Sequence, residues 1–181
     1  SDANINQSTC TYNGDFIASN QKDRVNNVID QKTNKEILKH LSDDIKKFKI
    51  ENKIDNVIVV WTASTERFNN GNWKNKEELH EAVIKNDKEV SPSILFALAA
   101  AENNCIFING SPQNTLCPSV IDNAKFYNTF VGGEDFKTGQ TKLKSALVDW
   151  LSLSGIRPLS IMSYNHLGNN DGKNLDERYY K

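Results

Sequence analysis

Two short apolar runs that end in similar polar segments constrain the fold of this chain more than any other feature. Residues 55–61 and 105–108 are rich in β-branched and aromatic side chains and do not alternate between apolar and polar. Runs of this kind are typical of parallel strands that are covered on both faces. A helical pattern separates the two runs, which predicts a βαβ unit. The chain is therefore predicted to be an α/β protein with a parallel sheet and helices on both of its faces.

Small and hydroxyl-bearing residues follow each of the two runs. The first is followed by Thr62-Ala63-Ser64-Thr65, and the second by a segment that contains Gly110 and Ser111. The carboxyl ends of parallel strands lie side by side at one edge of a sheet, where α/β proteins bind their ligands. Plain strand-to-helix turns use the same residue types, so the sequence favours a ligand-binding crevice and ordinary turns about equally.

Hydrophobic periodicity predicts the other elements of the chain. The helix that begins at Ser91 is apolar nearly all round, so we expect it to be buried. Gly155 is expected to close the last helix, as a C-terminal glycine commonly does. The predicted helices are residues 34–49, 77–88, 91–101, 118–124 and 138–154, and the two further predicted strands are residues 128–131 and 159–164.

The start of the last predicted helix is a candidate anion site. Thr138-Gly139-Gln140-Thr141 presents free backbone N–H groups at the positive end of a helix dipole, which suits a phosphate. Lys142 and Lys144 could add positive charge. An ordinary helix cap by Thr138 or Thr141 explains the same residues, and the local sequence alone favours the cap.

Composition excludes several classes of function. The 181 residues carry a net charge of −1, which argues against a nucleic-acid binder. The chain has no apolar run long enough to cross a membrane. Three cysteines without Cys-x-x-Cys spacing predict free thiols in a reducing compartment, and the expected location is the cytoplasm. Three scattered histidines give no metal-ligand cluster, so no metal site is expected.

The common nucleotide and nucleophile fingerprints are missing from this sequence. It contains no Gly-x-Gly-x-x-Gly, no Walker A sequence and no Gly-x-Ser-x-Gly elbow. A polar cluster at residues 165–172 suggests either contact with a polar ligand or an Asn-Asp-Gly turn, and the turn is the usual explanation. The residue pattern alone therefore predicts a fold but no named reaction.

Four longer motifs, taken in order, make the chain recognisable. They are WTASTER at 61–67, FINGSPQNT at 107–115, DFKTGQTK at 135–142 and SYNHLGNNDG at 163–172. Together they resemble the central part of the eukaryotic myo-inositol-1-phosphate synthase (inositol-3-phosphate synthase) family, over roughly residues 12–175.

The resemblance implies an NAD-dependent isomerase that converts D-glucose 6-phosphate to 1D-myo-inositol 3-phosphate. The implied steps are oxidation at C5, enolisation, aldol cyclisation and reduction, with no net redox change. It also implies a homotetramer that serves inositol and phospholipid biosynthesis. Residues 1–131 would be part of a Rossmann-like NAD-binding domain, and residues 132–181 would begin an α+β catalytic and oligomerisation domain.

The resemblance also assigns candidate site residues. The substrate phosphate would bind at Thr138, Gly139 and Gln140, and the sugar would contact Asn165 and Leu167. The implied catalytic residues are Asp135, Asn169 and Asp171. The implied NAD-binding residues are Gln21, Arg24, Thr62, Ala63, Ser64, Thr65, Gly110, Ser111, Asp135, Thr138, Asn169, Asn170 and Asp171.

The chain departs from the family pattern in three respects. Thr138 stands where serine is usual, which keeps the hydroxyl, and Ser64 stands where asparagine is usual, which could weaken one polar contact. The family's Gly-Gly-Asn-Asn-Gly loop and its later lysine motifs are absent. We therefore hold open an alternative, a truncated fragment that binds NAD or phosphate without catalytic activity of its own.

Overall fold

The computed structural model describes residues 16–17, 28–63, 65–137 and 139–164. Its helices and strands alternate along the chain, as the sequence predicts for an α/β fold. In chain order they are α1 (Asn34–Asn52), β1 (Ile58–Trp61), α2 (Lys76–Ile84), α3 (Pro92–Glu102), β2 (Ile106–Asn109), α4 (Pro118–Phe126), β3 (Val131–Gly132) and α5 (Gly139–Leu153).

The three strands form one parallel sheet in the order β1-β2-β3. Ile58 lies opposite Ile106 in the first pair, and Phe107 lies opposite Val131 in the second. The chain between β1 and β2 contains α2 and α3, and the chain between β2 and β3 contains α4. The predicted βαβ unit is therefore confirmed, although β3 covers only two residues and lies slightly later than predicted.

Helix α3 forms the centre of the hydrophobic core. It contacts α1, α4, β1 and β2, and Ile94 and Leu98 on it are fully buried. Ser91 caps its first turn by accepting a hydrogen bond from the Ile94 N–H, and Pro92 occupies a first-turn position where no N–H is needed. The prediction of a buried helix is confirmed.

The described helices cover one face of the sheet, not both. Val59 and Trp61 pack against the core, whereas Ile58 and Val60 are 59% and 47% exposed. Successive residues of a strand point to opposite faces, so this alternation marks one covered and one uncovered face. Among the described residues, the face that carries Ile58 and Val60 therefore stays partly exposed, while the α/β fold with a parallel sheet is as predicted.

Helix α5 forms as predicted, but no residue of it is buried. Gly155 closes it at a φ of 76°, with the Ile156 N–H donating to the Leu151 carbonyl. The predicted strand at residues 159–164 is wrong, since the segment has no regular structure and Leu159 is 94% exposed. Alternation gives a segment two faces, but a strand also needs a neighbour for its backbone hydrogen bonds, and no described segment pairs with it.

None of the described helices is long and apolar enough to cross a membrane. Cys105 is buried, and Cys105 and Cys117 are free thiols. Cys10 and all of the Gln21–Arg24 region lie outside the described residues.

Candidate functional site

The polar ends of the three strands are joined by hydrogen bonds. The Gly110 N–H donates to the Trp61 carbonyl at 2.9 Å, which links the ends of β2 and β1. The Ser111 hydroxyl donates to the Ala63 carbonyl at 2.7 Å. The Phe136 N–H donates to the Gly110 carbonyl at 3.1 Å, which adds the loop after β3. The structure therefore brings together three groups of residues that the sequence places far apart.

Gly110 lies at a point where the backbone segments approach too closely for a side chain. A Cβ there would lie 2.7 Å from the Trp61 carbonyl oxygen and 2.6 Å from the Phe136 ring. Gly133 is similar, because its φ is 127° and a Cβ would lie 2.3 Å from the Asn109 carbonyl oxygen. Glycine at these positions lets the three loops meet at one edge of the sheet.

The loop after β2 is held by its own side chains. The Asn109 side chain accepts from the Ser111 N–H at 3.0 Å and donates to the Gln113 carbonyl at 3.2 Å. Gln113 in turn accepts from the Glu66 N–H at 3.2 Å. The loops after β1 and β2 are thus joined by a second contact, between Glu66 and Gln113. The sequence had not indicated a role for either residue.

Glu66 is a buried carboxyl group in this cluster, with 3% of its surface exposed. Its two oxygens accept from the Ser93 N–H at 2.9 Å and from the Ser93 hydroxyl at 2.5 Å. Burial raises the pKa of Glu66 to about 7, although hydrogen bonds from Ser93 and the nearby charge of Arg67 act in the opposite direction. A glutamate directly after a run of hydroxyl residues was the only sequence signal for this position.

The predicted cofactor residues at the strand ends differ in exposure. Thr62, Ala63 and Asp135 are exposed, Thr65 and Gly110 are half-buried, and Ser111 is buried. Asp135 has a φ of 65°, a conformation that few residues other than glycine adopt. The edge therefore offers hydroxyl, carboxylate and close backbone groups to solvent, a donor and acceptor set that suits the phosphates and ribose of a dinucleotide.

The two described members of the predicted phosphate site begin α5. Gly139 and Gln140 are exposed, and Gly139 has a φ of 57° with open space around its Cα. Phe136, three residues earlier, is the residue whose N–H is fixed on Gly110. The remaining predicted site residues lie outside the described residues: Gln21, Arg24, Ser64, Thr138, Asn165, Leu167, Asn169, Asn170 and Asp171.

Arg67 ties the segment before Gln21 to the loop after β1. Its guanidinium lies 4.1 Å from the centre of the buried Phe16 ring, and the backbone N–H of Arg67 donates to the Phe16 carbonyl at 3.0 Å. Arg67 also forms a two-pronged ion pair with Glu89, at 2.9 and 3.0 Å. Phe16 is thereby anchored to the loop after β1.

No group of three or more histidine, cysteine, aspartate or glutamate side chains that could hold a metal ion occurs in the described ranges.

A parallel sheet with polar loops joined at the carboxyl ends of its strands defines an α/β protein of the nucleotide-binding type. A family model described as myo-inositol-1-phosphate synthase matches residues 3–166, and the chain belongs to this family. The matching model is of an NAD-binding domain, so the prediction of NAD as cofactor is confirmed.

Individual relatives agree with the family match. The chain is 53% identical to an inositol-3-phosphate synthase of Dictyostelium discoideum over 95% of its own length and 34% of the relative's. It is 54% identical to inositol-3-phosphate synthase 1 of Populus euphratica, over 91% of this chain and 32% of that one. The crystal structure of inositol-3-phosphate synthase from Caenorhabditis elegans is similar with a TM-score of 0.86 and 52% identity, over 95% of this chain and 34% of that one. The chain thus spans about a third of the length of these relatives.

Proposed function

We propose that this chain forms part of the NAD and substrate site of an isomerase that converts D-glucose 6-phosphate to 1D-myo-inositol 3-phosphate. The observation that carries the proposal is the hydrogen-bonded junction of three strand ends at Gly110, in a chain that belongs to the synthase family. When bound, NAD supplies the hydride acceptor and donor for a reaction without net redox change.

The strand-end residues are assigned to cofactor binding. Thr62, Ala63 and Thr65 would hold NAD on one side of the junction, and Gly110 and Ser111 on the other. Because the Ser111 hydroxyl donates its proton to Ala63, its oxygen is left to accept a hydrogen bond from the ligand. Gln21, Arg24, Ser64, Thr138, Asn169, Asn170 and Asp171 would complete the cofactor contacts.

Asp135 is assigned a catalytic position together with Asn169 and Asp171. Its exposed carboxylate lies on the loop after β3, next to the residue that bonds to Gly110. The start of α5, with Thr138, Gly139 and Gln140, would bind the substrate phosphate through backbone N–H groups and the positive end of the helix dipole. Asn165 and Leu167 would contact the sugar.

The test is an assay of the complete gene product. We expect formation of inositol phosphate from glucose 6-phosphate that depends on NAD, and we expect Asp135→Asn to lower kcat about 100-fold, the lower end for a lost proton-transfer group. A reaction mixture without NAD is the control. Absence of product with the wild-type protein and NAD contradicts the proposal.

A second candidate function is NAD binding without turnover by the 181-residue chain alone. It is favoured by the share of the relatives that the chain spans, about a third. Calorimetric titration of the 181-residue chain with NAD should show binding, and the same sample should form no product. Turnover by this chain would refute the second candidate.

The assembly state and cellular location are also proposals. A homotetramer is supported by the apolar residues Leu143, Leu147 and Trp150 of α5, which no described residue buries. Light scattering on the complete protein tests the tetramer. We propose a cytoplasmic location, which imaging of the tagged complete protein would test.

A further inference from the structure

A cluster of buried polar side chains lies directly behind the strand-end junction. Glu66, Ser91, Ser93, Gln113 and Thr115 are each no more than 5% exposed. None of them is among the residues assigned to NAD or substrate. Buried polar groups are costly unless they are hydrogen-bonded, so such a cluster holds its elements in a defined arrangement.

Glu66 connects the loop after β1 to the start of α3. Its carboxylate receives both the backbone N–H and the hydroxyl of Ser93, which lies in the first turn of that helix. A carboxylate at a helix N-terminus is favourably placed with respect to the helix dipole and the free N–H groups. Since α3 is packed on every side, it gives the loop a rigid base.

The same cluster extends to the loop after β2. The Ser93 hydroxyl lies 2.8 Å from the Thr115 hydroxyl and 3.1 Å from that of Ser91. The Glu66 N–H donates to the Gln113 side chain at 3.2 Å. One residue therefore contacts α3 through its side chain and the β2 loop through its backbone.

We propose that Glu66 is a positioning residue for the NAD site. Its hydrogen bonds hold the loops after β1 and β2 in a fixed position relative to each other and to the N-terminus of α3. This inference rests on the proposed binding of NAD at the strand ends. Glu66 lies next to Thr65, and Gln113 and Thr115 lie two and four residues after Ser111. Loss of the carboxyl group leaves Ser93 and its neighbours without their acceptor, so the cofactor-binding segments lose their common support.

The test compares three variants of the complete protein by NAD titration. Glu66→Ala should raise the Kd for NAD about tenfold, because two buried donors lose their partner. Glu66→Gln should restore the Kd to within about threefold of wild type, since its amide oxygen accepts from the Ser93 N–H and its amide group can donate to the Ser93 hydroxyl. Glu102→Ala is the matched control, because Glu102 is a partly buried carboxyl at the opposite end of α3 whose pKa burial also raises. It should leave the Kd within about twofold of wild type.

Each outcome separates the inference from the proposed function. Wild-type protein that binds no NAD overturns both. Wild-type binding with an unchanged Kd in Glu66→Ala overturns the positioning role alone, as does an equal loss in Glu66→Ala and Glu102→Ala. If Glu66→Ala does not fold, Ser93→Ala provides the measurement, because it removes the hydroxyl that joins Glu66 to Thr115. Because the Ser93 N–H still donates to the Glu66 carboxyl in this variant, its Kd should rise only about threefold, and no rise overturns the inference.

Discussion

Helices α3 and α5 both follow a polar loop, yet α3 is buried on nearly every side and α5 has no fully buried residue. Nine of the 11 residues of α3 are buried, whereas none of the 15 residues of α5 is. Apolar side chains alone do not explain the difference, because α5 carries Leu143, Leu147 and Trp150 at helical spacing. The contrast shows that burial depends on what the rest of the molecule places against a helix.

The surroundings of the two helices supply the physical reason. Helix α3 lies between α1, α4 and two strands, which together exclude water from it. Helix α5 follows the sheet, and its residues Leu143, Leu147 and Trp150 are 55–72% exposed. The next four predictions test this contrast, from the largest expected effect to the smallest.

The strongest test is a matched pair of leucine truncations. Leu98→Ala in α3 should lower the free energy of unfolding by about 2–5 kcal/mol, because it leaves a cavity in a packed core. Leu147→Ala in α5 should cost less than about 1 kcal/mol in the 181-residue chain, since that side chain is 55% exposed. Urea unfolding of both variants checks the pair, and equal losses would break the comparison.

The second test uses the buried carboxyl at the start of α3. The pKa of Glu66 is about 7 in the folded protein and 4.5 in the reference state, so the folded form holds this proton more tightly. The resulting stabilisation is present below pH 4.5 and is lost as the pH rises through 7. The loss amounts to about 3 kcal/mol for a group this deeply buried.

Glu66→Gln removes this titration, because an amide is neutral at every pH. The stability of the variant relative to wild type should therefore rise by about 3 kcal/mol between pH 4.5 and pH 8. All other carboxyl groups are common to both proteins and cancel in the difference. Denaturant unfolding at several pH values measures it, and a difference that stays constant with pH contradicts the burial of an isolated carboxyl at this helix start.

The third test compares a glycine of the strand-end junction with the first glycine of α5. Gly110→Ala should destabilise the protein by about 2 kcal/mol and weaken NAD binding, because its Cβ would meet the Trp61 carbonyl. Gly139→Ala should cost about 1 kcal/mol, since it meets no neighbour but has a positive φ. Thermal unfolding and NAD titration of the two variants give the result. If Gly139→Ala lowered stability more than Gly110→Ala, the backbone would be more closely packed at the start of α5 than at the strand-end junction, contrary to the structure.

The smallest effect is expected at the end of α5. Leu153 is 88% exposed, so Leu153→Gln should change the free energy of unfolding of the 181-residue chain by less than about 0.5 kcal/mol. The same substitution should also be measured in the complete protein, where a further part of the chain could cover Leu153. A loss above about 1 kcal/mol there would show that a further part of the protein covers α5.

Much of the core and part of the site could be predicted from the sequence. Continuous runs of β-branched and aromatic residues identified β1 and β2, and a helix that is apolar on nearly all sides identified the buried helix α3. The similar polar endings of the two strands predicted that Ala63 and Ser111 lie together, and the structure joins them by a hydrogen bond. The assignment to NAD needed the longer motifs, since no short fingerprint is present.

Other features could not be predicted because they depend on contacts between distant residues. Glu66 and Ser93 are 27 positions apart, and Glu66 and Gln113 are 47 apart, so no local pattern reveals their hydrogen bonds. The alternation at residues 159–164 resembled a strand, but a strand requires a paired neighbour. Ile58 and Val60 are likewise exposed although they are apolar, because a side chain is buried only if another segment packs against it.

The sequence by itself determined the helices and the two longer strands, since chain stiffness, capping groups and hydrophobic period act within a few residues. Thr33 and Glu36 form a capping box at the start of α1 for this reason. The tertiary structure alone decided which apolar faces are covered and which polar groups meet. Burial and buried hydrogen bonds are properties of segments brought together, and at Gly110 they bring three strand ends to one edge of the sheet.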